Sequence, residues 1–392
     1  MAIYGYSVYI TVRVKNGEIM KSFGVGCFHF SINDELDKAI TVQEYINEIK
    51  DTLEKINSIT DIKIKFDEDF KDESFDTTPP NPKLNNGDSC HPFLHPFSIE
   101  YKIYIPYRIQ AKLIGVEETS LNTYTENFVI YMRHAWHGPL SFVECANPKP
   151  ETKPSTAVQI IRKYLPNEFI NLDTFLIPDY LGPSPFHADF HLKFVNVENI
   201  ETKKPFMQLL EMQTGYDEII FTCDSNDYDE ENKALQHLFY ELEQEISFFY
   251  EITSNEVNRM HEWNEISECM HSILEFENAE TKKSLIDKIF SRPKLFRKAF
   301  KDIGLFKGQD LFISNLQKRN YNSIYESDKH RTYLKVFIDR RMSESGVYPV
   351  QESIDLISYF DQKSSKSFEL AVVFIAAIIG GVIGSIITVS FN

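Results

Sequence analysis

The sequence predicts an α+β protein: a β-rich head with few helices, a helical neck and a single C-terminal transmembrane helix. Three observations carry this. Apolar and polar residues alternate in several stretches before residue 229, which is the period of half-buried strands. From Glu230 onward apolar residues recur at three- and four-residue steps, as in Leu235, Leu238, Leu242, Ile246 and Phe249, which is the period of helices. Finally, Leu370 to Val389 is a run of 20 residues without a charge. As a helix it spans about 30 Å, the thickness of a bilayer core.

Residues 1–66 read as a ββαβ subdomain. Tyr4–Val14 and Glu18–Phe30 alternate, and Asn16-Gly17 between them suits a type I′ hairpin turn, whose two central positions need positive φ. Thr41–Ile56 carries Val42, Tyr45, Ile46, Ile49, Leu53 and Ile56 at helical spacing, and Ile62–Phe66 returns as a strand. Residues 67–96 are an acidic loop rich in proline and asparagine, which break regular structure. Residues 97–229 form a second β-rich α/β subdomain. Ile99–Leu113 and Asn127–Cys145 alternate, Ala157–Leu165 is a short helix, and Phe175–Ile177, Phe190–Val197 and Glu218–Cys223 are strands. Hairpin, helix and strand thus follow one another twice, which points to a structural duplication.

Residues 230–360 form the helical neck. Helical spacing continues over Val257–Phe276, Pro293 is placed to open a further helix just after Ser291, and Asp310–Tyr325, Lys329–Arg341 and Val350–Phe360 follow. A linker at 361–369 leads to the transmembrane helix at 370–389.

Composition narrows the class. The chain is 42% hydrophobic, enough for a sizeable core, and its net charge of −17 excludes a uniformly basic nucleic-acid binder. Its five cysteines, Cys27, Cys90, Cys145, Cys223 and Cys269, form no CxxC pair and are odd in number. A disulfide scaffold or cysteine-rich zinc module is therefore not expected, and a reducing compartment is. No N-x-S/T sequon occurs, and the N-terminus lacks a basic segment followed by an apolar one, so no signal peptide is expected. Lys363 and Lys366 precede the apolar run and nothing basic follows it. The positive-inside rule then places the N-terminal bulk in the cytoplasm of a tail-anchored, single-pass protein of the inner cell membrane.

Two patterns bear on partners. Ala376, Gly380 and Gly384 lie at four-residue steps within the run, a small-residue face on which two membrane helices can pack closely. A homo-oligomer is expected from it. Residues 282–341 hold 16 basic and 6 acidic side chains. Within them Phe296, Phe300 and Ile303 share a face flanked by Lys294, Arg297, Lys298 and Lys301, which suits contact with anionic inner-leaflet lipid. The solvated face of an ordinary helical domain has the same composition. Nucleic acid is the disfavoured partner, because no recognised nucleic-acid-binding fold accompanies the charge.

Constellations that could carry chemistry are sparse. His187, Asp189 and His191 alternate, so on a strand they share one face, a set that suits zinc or iron. A polar strand face accounts equally for the spacing. Pro178-Asp179 with Glu201-Thr-Lys203 has the loose spacing of a metal-dependent nuclease site. Asp224, Asn226, Asp227, Asp229, Glu230 and Glu231 resemble a calcium loop in composition but lack its required glycine and glutamate positions, and read better as the acidic start of the next helix. No phosphate-binding loop, dinucleotide fingerprint, nucleophile elbow or HExxH occurs.

The architecture points to a non-enzymatic membrane protein. A cytosolic sensing or binding head would act through the neck on a self-associating membrane helix. A bacterial stress or antiviral defence effector is one concrete version. The alternative is a membrane-anchored metal-dependent hydrolase or nuclease. The sequence indicates no cofactor and no ligand for the head.

Overall fold

The computed structural model describes residues 19–32, 39–75, 97–135, 138–180, 186, 188–195, 206–210, 216–224, 227–228, 230–278, 285–326, 332–344 and 346–362. The expected strand Tyr4–Val14, the Asn16-Gly17 turn, most of the acidic loop and the whole apolar run lie outside them. No described helix is long and apolar enough to cross a membrane. The fold is mixed α+β, built on a large sheet and several helices. It divides into two compact units: unit 1 comprises Met1–Glu251 with Ile324–Arg340, and unit 2 comprises Ile252–Ser323 with Arg341–Asn392.

Unit 1 holds the twelve described strands, three complete α-helices and parts of others. In chain order, β1 (Ile19–Gly26), β2 (Phe28–Ile32) and β3 (Ile40–Thr41) lead to α1 (Val42–Glu54). β4 (Ile59–Phe66), β5 (Ser74–Phe75) and β6 (Phe97–Tyr104) precede α2 (Tyr107–Ile114). β7 (Asn127–Ala135) and β8 (Gly138–Cys145) precede α3 (Pro154–Phe169), and β9 (Leu176–Tyr180), β10 (Ala188–Val195), β11 (Phe206–Leu210) and β12 (Asp217–Asp224) precede α4 (Glu231–Asn278). Eight of these strands form one sheet in the order β11-β12-β10-β1-β8-β7-β6-β4. β10 and β12 run parallel; the other pairs are antiparallel. Strands from both β-rich stretches of the sequence therefore share a single sheet.

Local chemistry explains the better-defined elements. Thr41 caps α1: its side chain accepts from the Glu44 amide, and the Glu44 carboxylate accepts from the Thr41 amide at 2.7 Å. This reciprocal pair satisfies two of the amides a helix start leaves open. Val42, Tyr45, Ile46, Ile49 and Leu53 then face the core, as their spacing predicts. The sheet's first face is covered by this core and by α3. Gly24 on β1 makes the approach possible, since a Cβ there would lie 2.6 Å from the Pro154 carbonyl oxygen on α3. The second face is aromatic. Phe239 of α4 stacks on Phe142 with ring centres 4.0 Å apart and meets Phe23 edge-on at 4.8 Å.

The alternating stretch Ile99–Leu113 is not one strand. β6 ends at Tyr104, and Pro106 opens α2. The polar side chain of Gln110 is fully buried there, because its amide donates to the Ile105 and Thr125 carbonyls and its oxygen accepts from Thr123. Likewise the strand expected over Glu18–Phe30 breaks at Cys27, after which β2 pairs with β9 in a separate ribbon.

Unit 2 is helical. α4 passes into it at Ile252. α5 (Leu285–Tyr325) is one helix of 41 residues that runs through Pro293, Gly304 and Gly308. The expected start at Pro293 and second start near Asp310 are thus both interior positions. α6 (Lys335–Ser343) lies mostly in the 324–340 segment of unit 1, and a further helix over residues 350–362 belongs to unit 2. The unit 2 core joins Ile266, Cys269 and Ile273 of α4 to Phe296, Ala299, Ile303 and Phe306 of α5 and to Ile357.

Candidate functional site

Unit 1 offers the residues that looked most like chemistry. Asp189 and His191 do share one face of β10, and both are buried. Each is engaged by the fold. Asp189 Oδ1 accepts from the Ser155 amide at 2.8 Å in the first turn of α3, so this carboxylate caps a helix from a neighbouring strand. Lys153 Nζ lies 3.9 Å from Asp189 Oδ2 and 2.5 Å from Glu218 Oε1. His191 Nδ1 is 2.8 Å from Ser22 Oγ on the adjoining strand β1. Burial pushes His191 down to about 4 and holds Asp189 above the usual carboxylate range. His187 lies outside the described residues, as do Glu201 and Lys203. Among the described residues no group of three His, Cys, Asp or Glu is placed to hold a metal ion. Ser22 beside His191, and Cys145 opposite Ser22 on β8, are fully buried, so neither is open to a substrate.

On the second face Glu144, 2% exposed, accepts from Lys21 at 2.6 Å and from the Tyr131 hydroxyl at 2.9 Å. An open groove of about 380 Å³ runs beside α4, lined by Lys65, Phe66, Phe97, Ser98, Arg133, Tyr240 and Glu243. Within it Arg133 pairs with Glu243 at 3.0 Å, and nearby Lys63 pairs with Glu100 at 2.9 Å.

Glu245 is a buried carboxylate held by three donor groups. It is 1% exposed and accepts from the Tyr325 hydroxyl at 2.8 Å and from the Tyr333 and Leu334 amides at 2.6 and 3.0 Å. It fastens the returning segment 324–340 into unit 1. Desolvation raises its titration above the ordinary carboxylate range, opposed by those three donors.

Unit 2 presents the opposite situation. The sequence-expected lipid contacts Lys294, Arg297, Lys298 and Lys301 are all exposed on α5. The expected apolar face is redistributed. Phe296 and Ile303 are 3% and 1% exposed and belong to the core, whereas Phe300 points outward at 38%. Leu305, Leu311 and Phe312 join it outside, at 57%, 57% and 68%. Lys307, Lys318 and Arg319 add three more exposed cations. No exposed position between Pro293 and Arg319 carries a carboxylate, and none of the seven cations has an ion-pair partner among the described residues. Of the two acids in this stretch Asp302 is half-buried and Asp310 pairs with Arg259 at 2.5 Å, while Glu256 of α4 pairs with Arg341 at 2.6 Å. Arg259 also lies over the Tyr348 ring, which packs on Trp263 and Phe306.

Sequence reasoning misses the outward apolar set, because Pro293 and Asp310 read as helix starts and divide α5. Only a periodicity carried across Gly304 and Gly308 relates Phe300 to Leu311 and Leu305 to Phe312. At 100° per residue each pair lies within about 20° around the axis. Ala376, Gly380 and Gly384 lie outside the described residues.

No family model, no curated protein and no solved structure matches this chain.

Proposed function

We propose that the chain is a single-pass membrane protein whose residues 370–389 cross the inner cell membrane, with both folded units on the cytoplasmic side. The observation that carries this is the uncharged 20-residue run preceded by Lys363 and Lys366. The odd number of isolated cysteines in the sequence supports a reducing compartment. Unit 1 serves as a binding head, and unit 2 turns Lys294, Arg297, Lys298 and Lys301 toward anionic headgroups. Ala376, Gly380 and Gly384 bring membrane helices of two copies together. In this role the protein is an effector that transmits an event at the head to the membrane, of the kind that serves bacterial stress or antiviral defence.

Alkaline carbonate extraction of membranes containing the full chain tests the anchor, and protease added from the cytoplasmic side tests its direction. The protein should stay with the membrane and lose residues 1–360 to that protease. Extraction into the supernatant refutes the anchor, and protection of residues 1–360 from that side refutes the orientation.

A further inference from the structure

We propose that the outward side of α5 is a second membrane element, which inserts Phe300, Leu305, Leu311 and Phe312 into an anionic leaflet. Anchorage by residues 370–389, on which this rests, brings unit 2 within reach of the bilayer. Four large apolar side chains on one helix side, each more than a third exposed, have no core to enter. Scattered single apolar residues on a surface are ordinary. These four are not scattered. They fall in two pairs along α5, flanking the bare backbone of Gly304 and Gly308, neither of which has any heavy atom near its missing Cβ.

Charge decides the occupant. Among the described residues, seven cations without an ion-pair partner and no exposed carboxylate share that side of the helix. A second copy of this surface would bring like charges together, whereas an anionic leaflet supplies the counter-charge. The geometry also suits a bilayer. Lysine and arginine extend their aliphatic stems and leave the charge at headgroup level, while the shorter Phe and Leu side chains reach the acyl boundary from the same helix side. The cations between Lys294 and Arg319 cover about 39 Å of helix, at 1.5 Å per residue. That length calls for a surface rather than a pocket.

The test uses the full chain carrying Phe312→Trp, reconstituted in vesicles with brominated acyl chains, either zwitterionic or containing anionic lipid. The emission added by this substitution should be quenched in anionic vesicles and not in zwitterionic ones. Adding K294E, R297E, K298E and K301E should abolish the quenching. At about 1 kcal/mol per cation, the inserted population falls on the order of a thousandfold. Emission typical of water in anionic vesicles overturns the proposal. So does a blue shift produced by single-stranded RNA but not by anionic vesicles, which assigns the face to nucleic acid. An unquenched blue shift that grows with protein concentration also overturns it, in favour of a second copy. Carbonate extraction separates the two readings. A retained chain whose introduced indole stays in water sinks only the insertion, and a quenched but extractable chain sinks only the anchor.

Discussion

Strand β10 of unit 1 and helix α5 of unit 2 both carry residues that read as functional in the sequence, and the structure treats them in opposite ways. On β10, Asp189 and His191 are engaged by the fold: Asp189 Oδ1 caps α3 through the Ser155 amide while its Oδ2 has only Lys153 at 3.9 Å, and His191 meets Ser22 across the sheet. On α5, the cations and four apolar side chains face away from the core with no partner among the described residues. A polar residue satisfied internally has been spent on stability, because an unsatisfied buried group costs about 1–3 kcal/mol. A group left without an internal partner on a rigid element is available to something outside.

Substitutions on the two sides probe this contrast. The largest effect is expected at the inward aromatic cluster. Phe239→Ala removes a ring that packs on both Phe142 and Phe23, and should destabilise unit 1 by about 3–5 kcal/mol in denaturant titration. A loss below about 1 kcal/mol would mean that α4 does not seal the second face of the sheet.

Glu245→Ala comes next. It strands the Tyr333 and Leu334 amides, and a loss of about 3 kcal/mol is expected. Hydrogen exchange should quicken first in 324–340. Uniform exchange across unit 1 would contradict the role of this carboxylate as the local fastening.

Acidification tests β10. His191 titrates near 4 in the folded chain, below its ordinary value of 6.5. Between those values the unfolded chain holds the extra proton, so stability rises with pH and is lost as pH falls from about 6.5 toward 4. The loss is at most about 3 kcal/mol. Asp189 and Glu245, whose folded forms hold their protons more tightly, contribute with the opposite sign just above the ordinary carboxylate range. His191→Asn removes the histidine contribution while keeping a partner for Ser22. An unchanged pH profile in that variant would show that another group governs it. Asp189→Ala should cost about 1–2 kcal/mol, as a lost helix cap does, and a chelator should leave wild-type stability unchanged. Destabilisation by chelator would favour the metal reading of this strand.

The smallest effect belongs outside. Phe312→Ser should change stability by less than about 0.5 kcal/mol. The same ring that is indispensable at position 239 is then dispensable to folding at 312. A loss comparable to that of Phe239→Ala would place Phe312 in a core.

What can be read from residues follows the range of the interactions. α1 is legible to within a residue or two because its cap, Thr41 with Glu44, and its apolar stripe are local. β7 and β8 are legible as alternation. The place of β1 between β8 and β10 is not, since those pairings join residues more than a hundred positions apart. α5 reads too short because Pro293 and Asp310 read as helix starts, and here the packing of Phe296, Ala299, Ile303 and Phe306 carries one helix through both. That single misreading exchanges inward for outward residues on the candidate surface. At His191 and Asp189 the residue types and their shared face are legible. Their role is not, because Ser22 and Ser155 lie far away in sequence.

A lipid-depth scan along α5 tests the membrane reading of this helix most directly. In the full chain with Cys90→Ser the four other cysteines are buried, so single cysteines introduced at 300, 305, 309, 311, 312 and 314 can carry a spin label. In anionic vesicles the labels at 300, 305, 311 and 312 should favour collision with oxygen over a water-soluble relaxant, and those at 309 and 314 the reverse. A water signature at all six positions would contradict the claim that this side of α5 meets the membrane.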